Sequence, residues 1–424
     1  MNSSKSNRLS LIKSQLLSDN KTSNINKRTY PLKKSSEDVV IVGYARTPLG
    51  KAKRGNLKDT QPEILAKHAI KALLDRTKVK PDDVQEIVMG NVLGPGCYNM
   101  KLRMAGFLAG LSDKTTFMTV NRLCSSGLQA VMNLAYSISN GQVECGIAGG
   151  TESMSIVDMD NLVDPESIPD ESFECTQASN CLIPMGLTSE NVTEKFGISR
   201  KDQDEFAVES YRKAVEAQKK GYFDKEIVPI KVSVKDKNGD IKEVTVSKDE
   251  GPKPTTYEAL AKLKPAFKKG GSSTGGNSSQ VTDGSAVIML MRRDVAEKKG
   301  CKILGRIVGY SVEGVPPEIM GIGPAAAIPS VLKKTGMTTS DIDIFELNEA
   351  FASQALYCLR KLGLPKEKVN PNGGAIALGH PLGCTGARMI CTLMSELERT
   401  NKKTGIVSMC IGSGMGAACV LERE

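Results

Sequence analysis

The sequence predicts an α/β protein made of two copies of one unit with an inserted segment between them. Two observations support this: apolar strands alternate with amphipathic helices, and three blocks recur at nearly one spacing. The opening strand, 39–43, is a continuous apolar run that ends in glycine, which is typical of a strand buried on both faces. A helix over 64–74 and a strand over 87–90 follow it, in the order of a βαβ unit.

The chain repeats itself at an offset of 258 or 259 residues. The matching blocks are 77–90 with 335–348, 124–127 with 383–386, and 146–151 with 405–410. Three blocks at nearly one offset indicate two copies of a single α/β unit, because chance similarity would not preserve the spacing.

The segment between the copies has a different character. It consists of amphipathic helices with dense mixed charge, of which 200–221 is the clearest, and the string GGSSTGG at 270–276 predicts a flexible return to the core. We interpret it as an insertion packed over the active-site face. The predicted division is a leader at 1–37, a first half at 38–159, an inserted loop domain at 160–277 with 278–299 returning to the first half, and a second half at 300–424.

The charge of the chain is concentrated at one end. The net charge of the 424 residues is +9, but eight basic residues and one acidic residue lie within 1–36, which leaves about +2 for the rest. A nearly neutral body disfavours a nucleic-acid-binding domain. No apolar run approaches the roughly 20 residues that span a bilayer, so no integral membrane contact is expected. Eleven cysteines without zinc-ligand spacing favour a reducing compartment and predict no metal site.

Cys124 is the first candidate for chemistry. It lies between an apolar strand at 117–120 and a helical stretch at 128–138. The N-terminus of a helix favours an anion, and such a position can lower the pKa of a thiol. On these residues alone, a buried structural cysteine remains the commoner interpretation.

Two further candidates follow from the repeat. His380 lies in a loop of small residues just before the helix that corresponds to the helix of Cys124, so both residues belong at the same end of their sheets. Cys410 ends an apolar strand before a glycine-rich turn, 412–416, whose N–H groups can bind an oxyanion. Two thiols and one imidazole indicate covalent acyl chemistry. His68, inside the early helix, is interpreted as a surface or packing residue.

Five strings in order resemble the thiolase family, and the likeness runs from about Asp38 to Glu424. They are NRLCSSGLQA (121–130), GGTESMS (149–155), NEAFA (348–352), GGAIALGHPLGCTGAR (373–388) and CIGSGMGAA (410–418). The strings GVPPEIMGIGP (314–324) and LIPMGLTSENV (182–192) are similar to the degradative 3-ketoacyl-CoA thiolases. The resemblance implies duplicated βαβαβαββ halves that form a five-layer α-β-α-β-α core with an inserted loop domain.

The same resemblance implies a role for each site residue. Cys124 is the acyl-accepting nucleophile, His380 its base, and Cys410 the acid and base for the α-carbon proton. Asn348 holds a water that completes one oxyanion site with His380, and the N–H groups of Cys124 and Gly412 form the second. The implied CoA and substrate contacts are Ser279, Met185, Phe351 and Met320. No cofactor is implied, since CoA is a substrate.

The expected function is thiolytic cleavage of 3-ketoacyl-CoA to acetyl-CoA and a shortened acyl-CoA in fatty-acid β-oxidation. Biosynthetic thiolases have a histidine in the inserted segment, and this chain has none between His68 and His380, which favours degradation. The alternatives are acetoacetyl-CoA synthesis and a non-catalytic acyl-CoA or lipid carrier. The string GGSSTGGNSS (270–279) departs from the TVTAGNSS that is usual in the family. A lysine cluster is the candidate for capturing anionic CoA: Lys262, Lys264, Lys268 and Lys269.

The leader and the family suggest location and partners. Arg8-Leu9, five residues and then Gln15-Leu16 resemble the type-2 peroxisomal targeting signal, which implies a peroxisomal import receptor as a partner. A mitochondrial matrix location is the alternative, because the leader is basic and Ser-rich. The resemblance also implies a homodimer or a dimer of dimers.

Overall fold

The computed structural model describes residues 30, 33–159, 162–236 and 238–424. The residues of the targeting motif, Arg8, Leu9, Gln15 and Leu16, lie outside the described residues, so the leader prediction is not addressed by the fold.

Strands and helices alternate along both halves. The strands are β1 (Val39–Arg46), β2 (Gly50–Lys51), β3 (Glu86–Gly90), β4 (Thr116–Val120), β5 (Cys145–Ser153), β6 (Ile230–Lys235), β7 (Ile241–Val246), β8 (Thr282–Arg292), β9 (Gly305–Gly314), β10 (Ile344–Leu347), β11 (Thr404–Ile411) and β12 (Met415–Arg423). The helices are α1 (Pro62–Thr77), α2 (Asn99–Leu108), α3 (Ser126–Ser139), α4 (Glu171–Glu174), α5 (Thr176–Asn180), α6 (Met185–Phe196), α7 (Arg200–Lys219), α8 (Tyr257–Ala261), α9 (Arg293–Lys298), α10 (Gly323–Thr335), α11 (Ala352–Leu362), α12 (Ala375–Leu378) and α13 (Leu382–Arg399).

The strand order shows the duplication directly. The first half has the order β1-β8-β5-β3-β4, and the second half has the matching order β9-β12-β11-β10. The parallel pair β3 and β5 of the first half corresponds to the parallel pair β10 and β11 of the second. The halves join where β1 pairs with β9 through Val40 opposite Arg306 and Ile41 opposite Gly305. The offset read from the sequence therefore marks equivalent elements.

Helices cover both faces of each half-sheet. α3 and α13 lie together between the two half-sheets, within one large buried apolar cluster. α1 and α2 cover the outer face of the first half, and α10 and α11 cover the outer face of the second. This gives five layers, α-β-α-β-α, and the predicted fold is confirmed.

The two central helices approach each other through glycine. A Cβ atom on Gly127 of α3 would lie 2.6 Å from the carbonyl oxygen of Gly383, and one on Gly386 of α13 would lie 2.3 Å from the backbone nitrogen of Leu128. No side chain fits between backbones this close. The N-termini of α3 and α13 are thereby held side by side, which brings the segments before them together.

The inserted segment differs from the prediction in two respects. It contains a β6–β7 hairpin, in which Ile230 and Val232 pack inward while Lys231 and Ser233 are exposed. The alternation is present in the sequence, but the dense charge around it obscures the period of two. The Gly- and Ser-rich return was expected to be flexible, yet Ser272 and Ser273 are buried.

A single carboxylate holds that return. The backbone N–H of Ser272 donates to both carboxylate oxygens of Glu190, at 2.9 and 3.0 Å, and the N–H of Ser273 donates at 2.7 Å. These charge-assisted hydrogen bonds hold the loop in one conformation, although its Gly- and Ser-rich composition predicts flexibility.

Three general properties bear on function. Within the described residues, no helix has both the length and the apolar character needed to cross a membrane. The same residues contain no group of three or more His, Cys, Asp or Glu side chains that could hold a metal ion. All eleven cysteines lie in the described part of the chain and are free thiols.

Candidate active site

A tight turn places Cys124 immediately before helix α3. Leu123 has a positive φ of 47°, and its N–H donates to the Asn121 side-chain oxygen at 2.9 Å. The Ser126 hydroxyl accepts from the N–H of Arg122 at 2.9 Å and donates to the carbonyl oxygen of Leu123 at 2.6 Å. These local bonds offset the strain of the left-handed residue and fix the thiol at the helix N-terminus.

The resting state of Cys124 is a neutral thiol. Burial raises the pKa of Cys124 to about 11, although the backbone N–H groups of Gly412 and of Cys124 itself favour the thiolate. The nearby carboxylate of Glu152 raises the pKa further. The helix N-terminus does not lower the pKa of Cys124, because desolvation outweighs the helix dipole. A nucleophilic Cys124 needs a base to remove its proton.

His380 has the hydrogen bonds of such a base. Its Nδ1 lies 2.6 Å from the Thr385 hydroxyl, which itself donates to the carbonyl oxygen of Pro381 at 2.9 Å. Since that hydroxyl has one proton, it accepts from Nδ1–H, and we assign the lone pair to Nε2. The side-chain nitrogen of Asn348 lies 3.4 Å from Nε2. Burial and the positive charge of Arg388 lower the pKa of His380 to about 3, so the ring is neutral.

The loop before His380 is fixed from two sides. Gly379 has φ 108°, and a Cβ there would lie 2.3 Å from the Thr282 side chain. The backbone N–H of His380 donates to the carbonyl oxygen of Gln280 at 2.9 Å. Gln280, just before β8, and Thr282, at its start, thus fix the position of the His380 backbone before α13.

Cys410 lies at the carboxyl end of β11. Asn348, which directly follows the neighbouring strand β10, lies at the same edge of the sheet. The side chain of Cys410 is fully buried, and burial followed by the charge of Cys124 raises its pKa well above the ordinary value. A Cβ on Gly412 would lie 3.1 Å from the Leu123 side chain, so the turn after Cys410 packs against the residue before Cys124. The N–H of Asn348 donates to the carbonyl oxygen of Ser408 at 2.9 Å, which fixes Asn348 at the same edge.

The structure brings the predicted substrate contacts to this edge. Met320 and Phe351 form a buried apolar cluster with Cys410, and Met185 packs against it. The N–H of Ser279 donates to the carbonyl oxygen of Ala350 at 2.9 Å, so its loop lies beside the segment that follows Asn348. A thiol in apolar surroundings stays protonated until it meets a strong base, which suits a proton donor.

The predicted basic cluster is exposed along the rim. All four of its lysines lie at the surface, and Lys268 forms an ion pair with Glu194. One of the four charges is thereby partly compensated.

Sequence reasoning missed the residues that orient the site. Thr385, which fixes the histidine tautomer, and Glu152, which accepts four hydrogen bonds, both lie within the strings that resemble thiolases. Their roles depend on partners that sequence spacing does not show, since Glu152 and its partner Gly383 are 231 residues apart.

Comparison with known proteins agrees with this architecture. The model of the thiolase N-terminal domain matches residues 39–294, and that of the thiolase C-terminal domain matches residues 301–423. The rat protein "3-ketoacyl-CoA thiolase A, peroxisomal" is 57% identical over 396 residues, covering 93% of this chain and 90% of its own length.

Two solved structures from Saccharomyces cerevisiae have the same fold. The dimeric peroxisomal thiolase has a TM-score of 0.86 and 47% identity, covering 93% of this chain and 99% of its own. A second structure of the peroxisomal 3-ketoacyl-CoA thiolase, with a TM-score of 0.76 and 43% identity over 93% and 100% of the chains, is described as five-layered with two core domains of identical topology. Fold and site together define an acyltransferase. This chain belongs to the thiolase family.

Proposed function

We propose that this chain is a peroxisomal 3-ketoacyl-CoA thiolase that cleaves its substrate through an acyl-enzyme on Cys124. The observation that supports the proposal is that Cys124 and His380 immediately precede the two paired central helices, while the backbone N–H of Gly412, two residues after Cys410, favours the Cys124 thiolate. The name of the rat relative supports the substrate class and the location. We also propose the domain division predicted from the sequence: a leader at 1–37, a first half at 38–159 with 278–299, an inserted loop domain at 160–277 and a second half at 300–424.

The first half-reaction breaks the C2–C3 bond. His380 Nε2 takes the proton of Cys124, and the thiolate attacks the 3-keto carbon. The bonding pair then leaves on C2 as the enolate of acetyl-CoA, and the Cys410 thiol protonates C2. A bound water held by Asn348 acts with His380, or the N–H groups of Cys124 and Gly412 act together, as donors to the developing oxyanions.

The second half-reaction restores the enzyme. The thiol of CoA gives its proton to the Cys410 thiolate, and its sulfur attacks the acyl group on Cys124. The C–S bond to Cys124 breaks, the shortened acyl-CoA leaves, and Cys124 recovers its proton from His380. Protons and charges balance over the cycle among CoA, His380 and the two thiols, so the chemistry needs no metal or prosthetic group.

Substrate length tests the proposed reaction class. Purified protein is expected to cleave 3-ketooctanoyl-CoA with a kcat/KM at least about tenfold above that for acetoacetyl-CoA. The reason is that the apolar side chains of Met185, Met320 and Phe351 can bury the additional methylene groups of a longer acyl chain. Initial rates with CoA over a series of chain lengths measure this. A strong preference for acetoacetyl-CoA would favour acetoacetyl-CoA synthesis, and no acyl-enzyme with any substrate would favour a carrier.

We also propose a homodimer formed through the free edge of the first half-sheet. β4 is the terminal strand of the described sheet, and its residues are partly exposed. The adjacent helix α2 exposes apolar side chains, which are Met100, Met104, Phe107 and Leu108. An uncovered strand edge beside such a patch favours pairing with a second copy. Sedimentation velocity at micromolar protein measures the oligomeric state. A monomer would contradict this proposal, whereas a dimer or a dimer of dimers would agree with it.

Import is proposed to depend on the leader and a peroxisomal receptor. The motif from Arg8 to Leu16 supports this, and residues 1–37 fused to a fluorescent protein should direct it to peroxisomes. A mitochondrial or diffuse signal would contradict the proposed signal.

A further inference from the structure

The carboxylate of Glu152 lies where the two halves meet beside the candidate active site. Glu152 is in β5 and is 1% exposed. It accepts four hydrogen bonds from N–H groups: from the Asn91 side chain at 2.9 Å, from the backbone of Val92 at 3.0 Å, from Leu93 at 3.3 Å and from Gly383 at 2.9 Å. Three of these donors belong to the first half, and Gly383 belongs to the second.

The four donors favour an ionised carboxylate and so oppose burial, which raises the pKa of Glu152 to about 7. None of the four N–H groups can accept a proton, so a protonated Glu152 would direct its O–H toward a donor. Gly383 is the second residue of α13, where the positive end of the helix dipole also favours an anion. Glu152 therefore acts as a cap supplied by one half to a helix of the other half.

Three of the four partners of Glu152 adjoin a catalytic candidate. Val92 and Leu93 form one buried apolar cluster with Cys124, and Leu382 completes it. The loop is tied to the strand before Cys124 as well, since the side chain of Asn121 donates to the carbonyl oxygen of Val92 at 3.3 Å. On the other side, Gly383 comes three residues after His380.

The backbones at this junction are in direct contact. A Cβ on Gly150 would lie 1.8 Å from the carbonyl oxygen of Gly383, and a Cβ on Gly383 would lie 2.8 Å from the Cα of Asn91. Loss of the hydrogen bonds would let these packed segments slide against each other, which changes the distance between thiol and imidazole.

The geometry assigns Glu152 as a positioning residue that holds the wall around Cys124 and the start of the His380-bearing helix in one register. This assignment rests on the proposed thiolysis. The consequence is that proton transfer from Cys124 to His380 depends on a carboxylate that touches neither residue nor substrate.

Glu152→Gln tests the assignment with little change of shape. The amide nitrogen faces N–H groups, so about half of the donors lose their acceptor. We expect kcat for thiolysis to fall about 10- to 100-fold, the loss that a misplacement of about 1 Å causes, with KM for both substrates changed less than about threefold. Glu152→Asp retains the charge but cannot reach both halves, and kcat is expected to fall there too.

Alkylation of Cys124 by iodoacetamide distinguishes positioning from loss of folded protein. Removal of the Glu152 charge makes the thiolate of Cys124 easier to form, so the labelling rate at about pH 8 should hold or rise while kcat falls. A merely structural role would instead leave part of the protein unfolded, and the buried thiols of Cys145 and Cys419 would then be labelled as well. If Glu152→Gln fails to fold, Glu152→Asp tests the geometry alone: it keeps the charge, so labelling of Cys124 should hold while kcat falls.

Glu396→Gln is the matched control. Glu396 is also buried, lies in α13 about 20 Å from its N-terminus, and accepts from the Asn372 side chain at 2.9 Å. We expect its kcat to stay within about twofold of wild type. A Glu152→Gln variant with unchanged kcat, or one whose loss of kcat is accompanied by labelling of Cys145 and Cys419, would overturn the assignment. Absence of thiolysis in the wild type would overturn the proposed function and this assignment with it.

Discussion

A Cys124→Ala variant is expected to lose thiolysis by at least about 10⁴-fold and to form no acyl-enzyme. The physical reason is that the side-chain sulfur forms the bond to the acyl group, and alanine has no nucleophile in its place. Burst kinetics and mass measurement of the intact protein after mixing with 3-ketoacyl-CoA measure both effects. Binding of CoA should change little, since the apolar wall and the Ser279 loop remain.

Cys145→Ala is the control for this variant. Cys145 is buried in β5 and lies on the side of the sheet that packs against the outer helices, away from the site. It should retain wild-type kcat. An acylated Cys124→Ala protein would show that another residue accepts the acyl group.

The pH dependence of labelling gives a second check on Cys124. Because burial raises its pKa to about 11, the thiolate fraction in the free enzyme rises about tenfold with each pH unit below that value. Iodoacetamide labelling should therefore accelerate steadily from about pH 6 to about pH 9. A plateau in that range would contradict a neutral resting thiol and the need for His380 as its base.

The duplicated fold could be predicted because distant blocks preserve one spacing. The offset between the halves is enough to match β3 with β10 and β5 with β11, and it also places His380 and Cys124 at the same end of their half-sheets. That inference needs only chain order and the rule that equivalent elements occupy equivalent places. The hairpin of β6 and β7 was missed because charged residues masked a short apolar alternation.

The electrostatics of the site could not be predicted in the same way. The sequence shows that Cys124 precedes a helix, but it does not show that the thiol is 8% exposed. Burial determined the sign of its pKa shift. Similarly, the tautomer of His380 depends on the Thr385 hydroxyl, which donates its own proton to the carbonyl oxygen of Pro381. The role of Glu152 depends on the backbone N–H of Gly383, which belongs to the other half.

A Cys410→Ala variant is expected to separate the two half-reactions. Acyl transfer from a simple acyl-CoA to Cys124 breaks only a C–S bond, and the CoA thiolate can leave and take a proton from protonated His380 or water, so the acyl-enzyme should still form. Cleavage of a C–C bond requires a proton for C2, and loss of the donor should lower thiolysis about 10³-fold. Acyl-enzyme yield with octanoyl-CoA and the initial rate with 3-ketooctanoyl-CoA measure the two steps on one preparation.

Cys419→Ala is the matched control for Cys410→Ala, since Cys419 is equally buried on the neighbouring strand β12 and contacts Met132 through sulfur at 3.9 Å. The Cys419→Ala variant should retain both activities. A loss seen only in Cys410→Ala is then due to the place of Cys410 in the site and not to the removal of a buried thiol as such. Thiolysis retained by Cys410→Ala would refute the proton transfer. Loss of acyl-enzyme formation in that variant would assign Cys410 to the structure around Cys124, because the turn after Cys410 packs against the residue before Cys124.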